Sequence, residues 1–522
     1  MIHKSPYPDI EIPEVTVTAY TLRRAAELAD KPALIDGPTG RTLTFKQLAG
    51  AIHMVAAGLQ QRGFGKGDVM AILSPNIPEY AIAFHAVATV GGINTTINPT
   101  YNAEEIAYQL KDAGAKYLLT IPLFMEHAVA AAAEVGGIEE IFVFGEAEGA
   151  TPFAALLQNN GQLQPTEIDV KNDLVVLPYS SGTTGLAKGV MLTHYNLVAN
   201  MAQVVTMEAL EDNDVLAGVL PFFHIYGMVL ILNYALAEGA TVVTMPRFDM
   251  VQFLELIQQH KITVAHLVPP IVLGLAKHPI VDKYDVSSLR SIISGAAPLG
   301  PELTAEAAGR LGIIVKQGYG MTELSPVSHF MAGEESIRDG SVGYAIPNTE
   351  TRVVDVATGE DLGPGQDGEL WIRGPQVMQG YLNKPDATAE TIVEDGWLRT
   401  GDIGHIDVDG YWFIVDRLKE LIKYKGFQVP PAELEALLIS HPSVSDVAVI
   451  PVPDEEAGEI PKAFVVRSGD ASAEELMAFV KEHVSTYKQV RELEFVDAIP
   501  KSLSGKILRR VLRDQEMAKR GG

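Results

Sequence analysis

Not one cysteine occurs in 522 residues. That excludes disulfides, thiolate-ligated metals and a protein-bound thioester, so any acyl transfer to sulfur needs a thiol from outside. Positive charge is scarce as well. There are 40 Lys and Arg against 66 Asp and Glu, a formal net charge of −26. Such a surface argues against nucleic acid and anionic membranes as partners. It also requires any anion site to gather its few cations locally. No repeat and no low-complexity segment is present. The N-terminus, Met1-Ile-His-Lys-Ser-Pro-Tyr-Pro, has no apolar signal core, and the C-terminus has no peroxisomal or prenylation motif. A cytoplasmic protein is expected. Residues 215–237 are 23 in number and carry no formal charge, long enough for a bilayer span. They contain Pro221, His224, Gly227 and Asn233 and lack basic flanks. They read as a strand end, a loop and a buried helix.

What is present is a globular chain, 47% hydrophobic and long enough for two to four structural units. Short apolar strands alternate with helical stretches: strands near 67–74, 115–121, 138–144, 241–245, 262–268 and 289–294, and an apolar helix over 78–90. This pattern predicts parallel sheets covered on both faces. From about Gly343 the texture becomes short strands with Gly, Pro and Asp turns. From about Leu418 a smaller α+β unit begins, with strands at 444–452 and 462–467, a helix at 473–482 and a basic tail.

The most informative stretch is Tyr179-Ser-Ser-Gly-Thr-Thr-Gly-Leu-Ala-Lys-Gly-Val190, leaving the apolar run 174–178. Its glycines permit close backbone approach, and Ser180, Ser181, Thr183 and Thr184 surround one cation, Lys188. That is what a polyphosphate needs. It is not a Walker A loop, because Lys188 precedes a glycine. The plain alternative is a Ser/Gly-rich surface turn. Four more segments carry chemistry. His224 lies in Pro221-Phe-Phe-His-Ile-Tyr-Gly227, where the alternative is a satisfied core histidine. Ser294-Gly-Ala-Ala-Pro-Leu-Gly300 follows a strand and suits backbone approach to a planar ligand. Gln317-Gly-Tyr-Gly-Met-Thr-Glu323 offers an aromatic face, a hydroxyl and a carboxylate, suited to stacking, phosphate contact and Mg²⁺. Thr400-Gly-Asp402 places a short carboxylate after a tight turn, suited to a ribose diol; the alternative is an Asx-turn. Residues 415–428 and 500–510 each hold four cations. Each also has a lysine beside a glycine, the arrangement of a mobile loop carrying charge to a ligand.

Together, in this order, the motifs resemble the adenylate-forming superfamily of acyl-CoA synthetases, luciferases and peptide-synthetase adenylation domains, and most of all the 4-coumarate:CoA ligases. The resemblance runs from about Leu43 to Arg513. It implies an α/β fold: a large N-terminal domain (1–417) of two αβ layers plus a β-barrel subdomain (343–417), hinged to a small α+β C-terminal domain (418–522). By matching motif, Ser180, Ser181, Gly182, Thr183, Thr184 and Lys188 would hold the ATP phosphates. Ala296, Gln317, Gly318 and Tyr319 would frame the adenine and the acyl end. Thr322 would touch the α-phosphate, Glu323 would hold Mg²⁺, and Asp402 and Arg417 would bind the ribose. Lys419 falls at the hinge. Lys506 matches the adenylation lysine, while Lys423, Lys425, Gly426 and Gln428 match the thioester-forming loop. Arg247 aligns with a basic position that meets CoA, and His224 belongs to the catalytic set. Ile225, Tyr226, Leu230, Ile293, Pro326 and Val327, with Gly318, would border the acyl group. Two departures stand out: Ala187 replaces the usual proline before the loop lysine, and Arg247 replaces lysine.

The activity implied is ATP-dependent acid:CoA ligation through an acyl-AMP, with ATP, Mg²⁺ and coenzyme A as cofactors or co-substrates. A hydroxycinnamate is the expected acid and a medium-chain fatty acid the alternative. A luciferase-like oxygenase and a non-catalytic nucleotide-binding protein stay open, although Lys506 and Glu323 are both present. A peptide-synthetase module would continue well beyond Lys506.

Overall fold

The computed structural model describes residues 1–180, 187–425, 427–454, 456–503 and 505–520. Two large sheets form the first part of the chain. The eight-stranded one has Val69–Leu73, Ile93–Thr96, Ala115–Thr120, Glu140–Val143 and Leu174–Ser180 as parallel neighbours. Val69–Leu73 is buried at every position, which is why it reads as an unbroken apolar run. The nine-stranded sheet has a parallel centre of Val215–Gly218, Thr241–Thr244, Val264–Leu267, Ser291–Ser294 and Ile314–Gly320. Helix Pro78–Thr89 touches strands of both sheets and is buried along most of its length. An all-round apolar helix is stable only in such a place.

The sheets are not wholly parallel, as the apolar-run pattern predicted. Lys188–Thr193 lies antiparallel to Leu174–Ser180, and Val327–Phe330 antiparallel to Gly318–Gly320. The connections are short, and a parallel return needs a dozen or more residues. Both changes of direction occur beside the chemical motifs.

A six-stranded antiparallel sheet follows, built on Glu350–Val354, Gly368–Arg373, Trp397–Ile406 and Trp412–Arg417, with N-terminal His3–Lys4 on its edge. Asp402 therefore lies inside a ten-residue strand rather than just after a turn, although Gly401 before it has φ 70°. The last unit has a five-stranded sheet with its own core, including Ile422, Leu434, Val449, Val465 and Leu476. The expected basic tail is a helix, Arg509–Arg520. Residues 215–237 divide into strand Val215–Gly218, a turn, a π-helical segment Gly227–Asn233 and helix Tyr234–Glu238. Among the described residues no helix is long and apolar enough to cross a membrane.

Candidate active site

Strands Ser291–Ser294 and Ile314–Gly320 run parallel, so their C-terminal ends put loop 295–300 beside residues 318–322. The third wall comes from residues 224–230. Asn76 clamps the approach to it: its side-chain amide donates to the carbonyls of Gly218 (2.9 Å) and Leu220 (2.8 Å) and accepts from Phe222 N–H (2.7 Å). Thr96 donates to the Phe223 carbonyl at 2.7 Å. The chain then coils so tightly that a Cβ on Gly227 would lie 2.3 Å from the Pro221 oxygen, so only glycine fits.

These walls enclose a pocket of about 510 Å³, open mouth included. All seven residues expected around the acyl group line it: Ile225, Tyr226, Leu230, Ile293, Gly318, Pro326 and Val327. So do His224, Ala296, Tyr319, Thr322 and Lys506. Ala296 has φ 70°, a left-handed conformation rare for alanine and typical of functional loops. Phe330, a further wall, carried no sequence signal beyond a strand.

Lys506 reaches this pocket from the C-terminal unit. Burial lowers its pKa to about 8; the Arg417 guanidinium pushes the same way, while Asp402 and Glu323 oppose. Burial, aided by Lys506, pushes the His224 pKa down to about 3, so the ring is neutral. Its Nδ1 accepts from Tyr226 N–H at 3.3 Å, which leaves the proton on Nε2. His224 is thus a neutral donor.

Glu323 is 5% exposed, not a solvated loop acid. It accepts from Ser180 Oγ (3.2 Å) and Tyr381 Oη (2.7 Å). The Tyr381 ring also lies 3.8 Å beneath the Lys188 ammonium. Tyr381 therefore links the loop lysine to the acid, and nothing in Gly380-Tyr-Leu382 announced it. The loop's C-terminal end is braced where Tyr108 Oη donates to the Ala187 carbonyl at 3.1 Å. Ser181, Gly182, Thr183 and Thr184 lie outside the described residues. Among the described residues no three metal-binding side chains cluster. A single buried carboxylate does suit Mg²⁺, which takes one or two carboxylates and fills its shell with phosphate oxygens and water.

Tyr319 Oη donates to Asp402 at 2.5 Å, and Arg417 Nε stands 3.6 Å from the same carboxylate. Burial raises the Asp402 pKa, against Arg417 and the Tyr319 hydroxyl. These three groups form one hydrogen-bonded, ion-paired corner near Lys506. Gln317 is not among the residues lining the pocket. Its amide accepts from Leu299 N–H (2.9 Å) and donates to the Leu299 carbonyl (3.1 Å), stapling loop 295–300.

The hairpin half of the basic segment 415–428 is not at the pocket, although Arg417 at its start stands beside Asp402. Lys423 pairs with Gln428 across a hairpin of Ile422–Tyr424 and Phe427–Val429, and neither lines the cavity. Lys425 is ion-paired with Glu456 at 2.7 Å. Gly426 lies outside the described residues. Lys419 sits in the turn between Trp412–Arg417 and Ile422–Tyr424. Arg247 is exposed just beyond strand Thr241–Thr244.

The model of the AMP-binding enzyme family matches residues 22–382, and that of the AMP-binding enzyme C-terminal domain matches residues 433–506. A 4-coumarate–CoA ligase of Pinus taeda is 46% identical over 99% of this chain and 98% of its own. Among solved structures, the anthranilate CoA ligase AuaEII with anthranoyl-AMP superposes with a TM-score of 0.90 at 27% identity, covering 98% of this chain and 99% of that one. ATP-bound MatB from Rhodopseudomonas palustris gives 0.87 at 29% identity, covering 96% and 99%.

Proposed function

Because the chain belongs to the AMP-binding enzyme family, we propose that it is an ATP-dependent acid:CoA ligase of the 4-coumarate type. The observation that carries this reading is Lys506 projecting into an apolar pocket beside Thr322. A carboxylate is a poor acyl donor because its leaving group would be oxide. Attack of one carboxylate oxygen on the ATP α-phosphorus expels pyrophosphate and gives an acyl-AMP. Lys506 and Thr322 are suited to stabilise charge on the α-phosphate and hold it in line. Ser180 and Lys188, with residues 181–184, would bind the outer phosphates. Asp402 and Arg417 would bind the ribose, and Ala296, Gly318 and Tyr319 would face the base. Glu323 would hold Mg²⁺, which supplies positive charge to the phosphates when bound. In the second step the CoA sulfur attacks the acyl carbon and AMP leaves.

The two steps need different groups at one pocket. We assign the division to 1–417 and 418–522 with a hinge at Lys419. The present arrangement offers Lys506, and a rotated one would offer Lys423, Lys425 and Gln428, with Arg247 meeting CoA. Among the described residues lining the pocket, Lys506 alone is charged. That supports a hydrophobic monocarboxylate, and Tyr226 supports an aryl-propenoic acid. Leu230, projecting from the π-helical segment, supports the second reading, a slimmer medium-chain acid. CoA-dependent AMP formation with 4-coumarate, cinnamate, hexanoate and octanoate tests both. The expected result is kcat/KM highest for an aryl acid. A preference for octanoate over 4-coumarate by more than about tenfold overturns the aromatic assignment and leaves the ligase standing.

A further inference from the structure

Tyr381 stands between two side chains of opposite charge, and its ring and its hydroxyl serve different ones. The Lys188 ammonium lies 3.8 Å from the ring centroid, while the hydroxyl donates to Glu323 Oε1 at 2.7 Å. Ser180 Oγ donates to the same oxygen at 3.2 Å. Among the described residues Glu323 Oε2 has no hydrogen-bond donor, and no carboxylate lies within ion-pairing reach of Lys188.

Backbone pairing puts the tyrosine there. Strand Gly380–Tyr381 runs antiparallel to Lys188–Thr193, with Tyr381 opposite Val190. Lys188 is two residues from Val190 on the same face, a diagonal neighbour within reach of a long side chain. Met378 N–H donates to the Glu323 carbonyl at 2.9 Å, and Leu382 N–H to that of Gly189 at 2.8 Å. The segment carrying Tyr381 is thus tied to both chains that it serves. Tyr381 N–H also donates to Thr388 Oγ1 at 2.9 Å, and the residue is 6% exposed.

A buried cation and a buried carboxylate attract each other more strongly than in water, and each is costly to leave without a partner. Burial lowers the Lys188 pKa, and Glu323 is the charge that opposes this most. With nothing between them the two can close into an ion pair, and neither is then available to a ligand. Tyr381 satisfies both without joining them. An aromatic face stabilises an ammonium without neutralising it. A phenol O–H satisfies one carboxylate oxygen and leaves the other. The cation stays open to phosphate oxygens, and Glu323 Oε2 to a metal.

We propose that Tyr381 is a positioning residue that keeps Lys188 and Glu323 from pairing with each other, so that one stays available to the ATP phosphates and the other to a divalent cation. The proposal rests on the reading of Lys188 and Glu323 as the phosphate and Mg²⁺ groups.

The test reads ATP binding by equilibrium titration in EDTA, where no metal contributes. It also reads the Mg²⁺ concentration that gives half-maximal acid-dependent pyrophosphate exchange. Tyr381→Phe keeps the ring and should bind ATP in EDTA within about twofold of wild type. It should need about tenfold more Mg²⁺, the usual effect of removing a group that orients a metal ligand. Tyr381→Leu, or Tyr381→Met if the first does not fold, removes both ring and hydroxyl and lets the pair close. It should weaken ATP binding in EDTA about fivefold or more. Adding Glu323→Gln to that variant removes the competing anion, and binding should return to within about twofold of Glu323→Gln alone. A merely structural tyrosine gives no such rescue. Folded Tyr381→Leu that binds ATP like wild type overturns the proposal. So does a loss that persists in the double variant, or a Tyr381→Phe with an unchanged Mg²⁺ requirement. Each of these leaves the ligase reading standing when wild type forms AMP from an acid and CoA. Wild type that neither binds ATP nor forms AMP overturns that reading and this inference with it.

Discussion

In the proposed reaction, Lys506 is the residue on which the first half-reaction would turn. Its ammonium is partly stripped of water and faces the Arg417 guanidinium, which together bring its pKa to about 8. A lysine must be charged to stabilise an anion, and kcat/KM reports the free enzyme's titration. Adenylation measured by pyrophosphate exchange should therefore decline above pH of about 8, not near the ordinary lysine value of about 10.4. Arg417→Ala removes one cause of the depression and should move that limb upward. Lys506→Ala should lose about 10²–10³-fold in adenylation, on the scale of removing a charge-stabilising donor, yet leave thiolysis of preformed acyl-AMP largely intact. A limb that stays put in Arg417→Ala, or equal loss in both half-reactions, would refute the assignment. At this scale Lys506, Glu323 and Tyr226 were legible because each sits in a motif. Asn76, Tyr381 and His266 were not, because a lone Asn, Tyr or His in an apolar run looks the same whether it clamps a loop or fills a core.

The hairpin of Ile422–Tyr424 and Phe427–Val429 is the element for which structure and expected chemistry stand apart. It closes on itself through Lys423 opposite Gln428, while Lys506 occupies the pocket. A hairpin needed only in a second arrangement should matter only to the second step. Lys423→Ala and Gln428→Ala are accordingly expected to slow thioester formation by about tenfold or more while changing pyrophosphate exchange little, as for groups acting only after a conformational step. Single-turnover assays of each half-reaction decide this, and a variant losing exchange but keeping thiolysis would contradict it. Periodicity and apolar runs were enough to place the strands they marked to within a few residues, but many short strands went unmarked. The same signals were not enough to tell a parallel from an antiparallel neighbour. That depends on how short the connection is, as at the return from Leu174–Ser180 to Lys188–Thr193.

Besides His224, four histidines among the described residues are buried neutral: His85, His266 and His329 with pKa values lowered by burial to about 3, and His194 to about 4. Each binds a proton more readily when unfolded, near pH 6.5, than when folded. Their stabilisation is therefore complete above about pH 6.5 and lost as pH falls toward the folded values. Each can contribute up to about 1.4 kcal/mol per pH unit within that window. The thermal midpoint should drop steadily from pH 7 to pH 5, a range in which exposed carboxylates are still ionised. His85→Gln should flatten part of the slope. A midpoint constant over that range would show that these rings accept protons without unfolding.

Taken alone, the sequence determined the chemistry that was possible. The absence of cysteine placed the thiol outside the chain, and the −26 net charge made each clustered cation conspicuous. Glycine, hydroxyl and lysine at close spacing are what the proposed phosphate loop rests on, and that spacing is readable without any tertiary partner. Tertiary structure alone decided that Lys506 lines the pocket while Lys423 and Gln428 do not, that the Gln317 amide is committed to Leu299, and that the His266 ring meets the Tyr226 hydroxyl. These are properties of side chains far apart in sequence. Their hydrogen-bond directions and pKa values arise from burial and neighbours, and neither exists until the sheets have set the register.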